Sequence, residues 1–249
     1  MARWTDAIVT LTDREAEEHL ALGVGRPGQF ETIFSGISMK PGAPKNGAED
    51  LETRRAALGL PLDGELVISV GRLDPIKGHG TLIDAFAQVL LHRPEARLLL
   101  AGDGELREAY ERRAKELKIH RRVHFLGWRE DVSDLLEAVD LFALPSLNEG
   151  MGRAAVEAMA AGLAVVATKV GGLPLIVDEG KTGLLVPPED AGALAATIVH
   201  ILSSPEARRA MGEAGRRKAA AFSEDAMVEK IESLYRRILT SSPPVKAPA

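Results

Sequence analysis

Cysteine is absent from this 249-residue chain, which excludes disulfide staples, thiolate metal sites and a cysteine nucleophile. No apolar run approaches the roughly 18 residues that a membrane-spanning helix needs. The opening residues, Met1 to Asp6, lack the layout of a secretory leader. Six histidines are scattered without metal-ligand spacing, and no aspartate-x-aspartate metal motif stands on a loop. Charge of one sign is also lacking: 31 Lys and Arg against 36 Asp and Glu leave a net −5, which argues against a broad nucleic-acid surface. The basic clusters Arg121–Arg122 and Arg216–Lys218 read as solvated helix ends. What is present is ordinary globular composition, 45% apolar and 27% charged, enough for one large domain or one and a half smaller ones. The cytoplasm is the expected location.

The apolar pattern divides the chain. Residues 6 to 12 read as a strand, Thr12 or Asp13 caps a helix ending near Gly23, and Phe30 to Phe34 read as a second strand. This strand–helix–strand piece, residues 1–38, is too small to bury a core alone. Residues 39–50 have linker composition, and a linker with a short helix is assigned to 39–59. From Leu60 the pattern alternates: Leu66–Val70 then about His79–His92, Arg97–Ala101 then Glu105–Lys118, Val123–Leu126 then Val132–Ala138, Leu141–Leu144 then Gly152–Ala161, with further strands at Ala164–Thr168 and Leu184–Val186. Such alternation predicts an α/β fold, a doubly wound parallel sheet covered on both faces, over 60–222. Helices are predicted over Glu189–Ser203 and Pro205–Ala221, with a last helix at 223–240 capped by Ser223 and a disordered tail at 241–249. In the last helix Met227, Ile231, Leu234, Tyr235 and Ile238 form an apolar stripe at helical spacing.

Ligands of such sheets bind outside the carboxyl ends of the strands, and the chemically unusual residues gather there. Gly71, Arg72 and Lys77 follow the first strand, Gly102-Asp103-Gly104 the second, Gly127, Trp128 and Arg129 the third, Ser146 and Glu149 the fourth. Arg72 and Lys77 supply a planar fork and a point charge, a pairing suited to a diphosphate; alternatively they are surface cations. Beyond Glu149, Gly150 and Gly152 open into the apolar helix Arg153 to Ala161, where an ionised Glu157 is costly unless it meets donors. Glu157 stands about 7.5 Å along the axis from the free N–H groups at the helix start, so both ends of this segment can touch one extended ligand. The plainer alternative pairs Glu157 with a core arginine and makes the glycines turn formers.

Taken together, Val70–Gly78, Ala101-Gly102-Asp103-Gly104, Phe125-Leu126-Gly127, Pro145-Ser146, the Glu149 to Glu157 spacing continued by Ala158-Met159-Ala160-Ala161-Gly162, and Val170-Gly171-Gly172 resemble the C-terminal, donor-binding half of the retaining glycosyltransferases of family 4, which have the two-domain GT-B fold. The likeness spans roughly residues 5 to 240. It implies a hexosyltransferase-type enzyme whose donor is a nucleoside diphosphate sugar, without a metal or other cofactor. Arg72 and Lys77 would hold the diphosphate, Glu157 the ribose hydroxyls, and Glu149 hydroxyls of the transferred sugar. Gly71, Gly102, Gly104, Ser146, Gly150, Met151, Gly152, Arg153 and Ala154 would line the donor site, with the backbone at Trp128 and Arg129 bordering the base. Arg153 stands where the family more often has an apolar residue, and either adds a cation or faces away. The resemblance further implies that residues 1–38 are the remnant of an N-terminal acceptor domain. That domain is the expected partner and the place of any peripheral membrane contact, so transfer by this chain alone is expected to fail. Two rival readings are a non-catalytic nucleotide-sugar-binding module and a dinucleotide-dependent oxidoreductase. Against the second, Arg107 occupies the place of the third fingerprint glycine and no acidic ribose partner is evident about 20 residues on.

Overall fold

The computed structural model describes residues 5–38 and 47–241, with backbone only at 47–50 and 241. The chain divides into two compact units, residues 1–39 with 220–249, and residues 40–219. Among the described residues no helix is long and apolar enough to cross a membrane.

In the smaller unit β1 (Ile8–Thr10) pairs in parallel with β2 (Phe30–Thr32), joined through α1 (Asp13–Ala21). Thr12 is the N-cap: its hydroxyl accepts from Glu15 N at 3.1 Å, while the Glu15 carboxylate reaches back to Leu11 N at 2.7 Å. Helix α10 (Glu224–Ser241) belongs to this unit. Ser223 caps it, accepting from Ala226 N, and Arg237 pairs with Glu31 on β2 at 2.5 Å. Leu234 is buried and Met227, Ile231 and Ile238 are half-buried, whereas Tyr235 is 63% exposed and departs from the stripe. Residues 242–249, expected as a disordered tail, lie outside the described residues, as do 39–46 of the expected linker.

The larger unit is built on six parallel strands in the order β5 (Val123–Gly127), β4 (Arg97–Ala101), β3 (Leu66–Val70), β6 (Leu141–Leu144), β7 (Val165–Thr168), β8 (Gly183–Val186). Strands covered on both faces read as unbroken apolar runs, and β3, β6 and β7 are buried almost throughout. One face packs Val67, Leu98, Leu100 and Val166 under α3 (His79–His92), α4 (Arg107–Glu116) and α8 (Ala191–Leu202). Helices α6 (Arg153–Ala160) and α9 (Pro205–Ala219) pack against each other, with α5 (Val132–Glu137) against α6. Strand order reverses between β3 and β6, and this switch point is where a crevice opens in such sheets.

Three features extend the sequence reading. Gly47–Ala57 forms α2, and its Arg55 is buried: Nε donates to the Ala138 carbonyl at 2.9 Å and Nη2 pairs with Asp140 at 2.8 Å, while Asp140 accepts from Leu66 N at the start of β3. A short helix α7 (Leu173–Ile176), with Pro174 in its first turn, follows Gly172 in a stretch to which the sequence pattern assigns no element. Two of the supposedly solvated basic residues are anchors instead. Arg216 donates to the carbonyls of Ala160 and Ala161 at the end of α6, and Lys218 bonds the Leu175 carbonyl and Asp178. Last-turn carbonyls lack intrahelical partners, and a nearby cation satisfies them.

Candidate functional site

The carboxyl ends of β3 to β6 surround a cavity of about 330 Å³ within the larger unit, near the lower end of small-ligand clefts, about 300–1,000 Å³. Its first wall is the loop after β3. Asp74 caps a 3-10 turn, Pro75–Lys77, accepting from Lys77 N at 3.0 Å, and the same carboxylate pairs with Arg72 at 2.8 Å. Asp74 therefore organises both cations. Lys77 Nζ reaches across the switch point to Glu149 Oε2 at 2.7 Å, where the Ser146 hydroxyl also donates at 3.0 Å. The Lys77 and Glu149 side chains are only 24% and 13% exposed, so this pair is largely removed from water.

The second wall is the loop after β6 and the start of α6. Gly152 precedes α6 with φ 78°, and a Cβ there would lie 2.5 Å from Leu173 Cδ2; the left-handed backbone and the close neighbour both demand glycine. The Glu149 carbonyl is held from behind by Gly172 N at 3.1 Å. In α6, Ala155, Val156, Ala158 and Met159 face inward, while Arg153 and Glu157 meet on the cavity side, Nε to Oε1 at 3.0 Å, with side chains 60% and 30% exposed. Glu157 thus pairs with an exposed arginine one turn away, not with a core arginine.

The floor follows β4 and β5. Gly102 has φ 143°, and a Cβ there would lie 2.0 Å from the Gly71 carbonyl oxygen, so two strand ends approach as closely as backbones can. Trp128, 76% exposed, and Arg129 stand at the rim. Arg129 forks onto Asp131 at 2.7 and 2.5 Å; each partner favours the other's charged form, raising the Arg129 pKa and lowering that of Asp131. Below the β3 loop His79 is buried with neither ring nitrogen hydrogen-bonded among the described residues, and burial pulls its pKa down to about 4.

Eleven of the residues singled out in the sequence line this one cavity. They are Gly71, Arg72 and Lys77 from the first loop, Gly102 and Asp103 from the second, Trp128 and Arg129 from the third, and Glu149, Arg153, Ala154 and Glu157 from the fourth. Gly104, Ser146, Gly150, Met151 and Gly152 do not line it. Gly104 packs on the Leu73 backbone, Met151 is buried, Gly150 is exposed, and Ser146 acts on Glu149 from beneath. Asp74, as organiser, was missed, although Asp followed by Pro at a helix start signals such a cap. Asp131, counter-ion of Arg129, carries no comparable signal. Among the described residues no group of three or more His, Cys, Asp or Glu is placed to hold a metal ion.

Six parallel strands with helices on both faces and a cavity at the switch point, lined by cations each paired with a carboxylate, define a doubly wound α/β protein. The family model for glycosyl transferases group 1 matches residues 50–218, and the chain belongs to this family. It is 36% identical over 223 residues, 86% of this chain and 52% of the relative, to a D-inositol 3-phosphate glycosyltransferase of Corynebacterium efficiens. It is 35% identical over 244 residues to one from Mycobacterium tuberculosis, covering 94% of this chain and 49% of that protein. The chain thus spans about half the length of these curated relatives. Among solved structures, sucrose-phosphate synthase from Thermosynechococcus elongatus superposes with a TM-score of 0.83 at 36% identity, covering 95% of this chain and 59% of that one. HepE from Anabaena, solved in complex with UDP, gives 0.84 at 27% identity over 95% of this chain and 65% of its own. The fold is therefore that of GT-B glycosyltransferases, and the family assignment displaces the oxidoreductase reading.

Proposed function

We propose that this chain is the donor-binding part of a retaining, hexosyltransferase-type glycosyltransferase that uses a nucleoside diphosphate sugar. The observation carrying the reading is the convergence of Arg72, Lys77, Glu149 and Glu157 on one cavity at the switch point. Arg72 and Lys77 hold the diphosphate and stabilise the negative charge that grows on it as the sugar leaves. Glu157 accepts from ribose hydroxyls, Glu149 from hydroxyls of the sugar, and the base lies toward Trp128 and Arg129. Binding exchanges the Lys77–Glu149 pair for two ligand contacts, phosphate on the amine and hydroxyl on the carboxylate. HepE, solved with UDP and with UDP-glucose, lends support. The acceptor site is supplied by the part of the relatives' length that this chain does not span, because transfer needs a positioned acceptor in a closed cleft.

The test is calorimetric titration of the chain with UDP, GDP, ADP and their sugars, followed by a labelled-sugar transfer assay with and without the N-terminal half of a relative. Binding of one nucleoside diphosphate, with transfer only when the second half is added, is expected. Failure of every nucleotide to bind would remove the donor-site reading; robust transfer without the second half would remove the division of labour.

A further inference from the structure

Four cations line the cavity and each is paired with a carboxylate, Arg72 with Asp74, Lys77 with Glu149, Arg129 with Asp131, Arg153 with Glu157. The pairs differ in how firmly they are held. Lys77 and Glu149 are mostly buried and Arg129 grips Asp131 with two bonds, whereas Arg72, 74% exposed, holds the capping Asp74 by one contact and is as loosely held as Arg153. Arg153 makes a single bond, through Nε, and its two Nη groups have no hydrogen-bond partner among the described residues. An exposed pair one helical turn apart is worth only a few tenths of a kcal/mol, so Arg153 leaves Glu157 at little cost. Its place also matters. Arg153 is the first residue of α6, four residues beyond Glu149 and four before Glu157, between the carboxylates that the donor reading assigns to the sugar and to the ribose. The diphosphate joins those two parts of a donor.

On the basis of that reading, we propose that Arg153 is a third diphosphate ligand, and that it reaches the phosphate by giving up Glu157. One movement then makes two contacts. The guanidinium forks onto phosphate oxygens, where planar bidentate geometry suits it, and Glu157 Oε1 is released to accept a ribose hydroxyl. No covalent bond is made or broken in this exchange. A ligand with ribose but only one phosphate must still part the pair while offering less to the guanidinium, so Arg153 makes the site select a nucleoside diphosphate over the monophosphate.

The experiment titrates the nucleoside diphosphate that binds the full chain, and its monophosphate, into wild type, Arg153→Ala, Arg153→Lys, Glu157→Gln and the Arg153→Ala/Glu157→Gln double variant. Arg153 is exposed, so the fold is not at stake in its replacement. Arg153→Ala is expected to weaken the diphosphate at least tenfold and the monophosphate clearly less. Arg153→Lys should recover part of the difference, and the loss should persist in the Glu157→Gln background. An unchanged diphosphate affinity, or an equal loss for both ligands, would overturn the proposal; so would disappearance of the effect once Glu157 is Gln, which would make Arg153 a clamp on that carboxylate. Absence of any nucleotide binding by wild type would instead overturn the donor reading on which the proposal rests.

Discussion

Lys77→Met separates two duties of one amine. The substitution keeps most of the stem, which runs beside Gly71, and deletes the charge 2.7 Å from Glu149 Oε2. With Glu149 13% exposed, the loss falls between the near-zero value of exposed pairs and the roughly 3–5 kcal/mol of a broken buried pair; about 2 kcal/mol is expected, since Ser146 still donates to the carboxylate. For a unit of this size that lowers Tm by about 4–8 °C. Loss of a charged contact to phosphate costs a further ~1.5–3 kcal/mol in binding, or about 10- to 150-fold in Kd. Adding Glu149→Gln neutralises the stranded carboxylate, so the double variant should regain Tm without regaining nucleoside diphosphate affinity. Scanning calorimetry and titration read the two effects apart. A lowered Tm with wild-type affinity would make Lys77 only the counter-ion of Glu149, and the diphosphate assignment would be wrong.

Other expectations address the frame around the site. His79 has a folded pKa of about 4, below its unfolded value of about 6.5, so the unfolded chain binds the extra proton first. Stability should therefore fall as pH drops from about 6.5 toward 4, by about 2–3 kcal/mol at pH 4.5, and urea midpoints of His79→Leu should lack that share of the slope. Gly102→Ala sets a Cβ 2.0 Å from the Gly71 carbonyl and should cost about 3 kcal/mol or more. Gly180→Ala, with φ 74° but open space, should cost only about 1–2 kcal/mol by the same denaturation assay. Trp128 is exposed at the rim, so nucleotide binding should change its fluorescence, and Trp128→Phe should abolish the change with little effect on Tm.

Strands and helices of the sheet were legible where physics leaves little choice. β3, β4, β6 and α3 begin and end where the residue pattern puts them, because buried parallel strands are unbroken apolar runs stopped here by Gly71, Gly102 and Pro145. The rim was legible for the same reason: whatever follows such a strand and is charged or glycine lies at one edge. Contacts distant in sequence were not. Arg55 on α2 meets Asp140 85 positions later, and Arg216 caps α6 from 55 and 56 positions away; neither leaves a periodic trace. The partner of Glu157 was in view at helical spacing, yet the apolar character of α6 suggested a core where Arg153 and Glu157 in fact face the cavity.

The direction of the donor across the rim is the central claim, and two conservative variants test it. UDP and UDP-glucose, or the nucleotide pair that binds best, are titrated into wild type, Glu149→Gln and Glu157→Gln. The account predicts that Glu157→Gln weakens both ligands by a similar factor, about tenfold, as expected for losing a charged hydrogen bond of about 1.5 kcal/mol, and that Glu149→Gln weakens only the sugar-bearing ligand. Equal loss of the plain nucleoside diphosphate in both variants, or loss confined to Glu149→Gln, would contradict it.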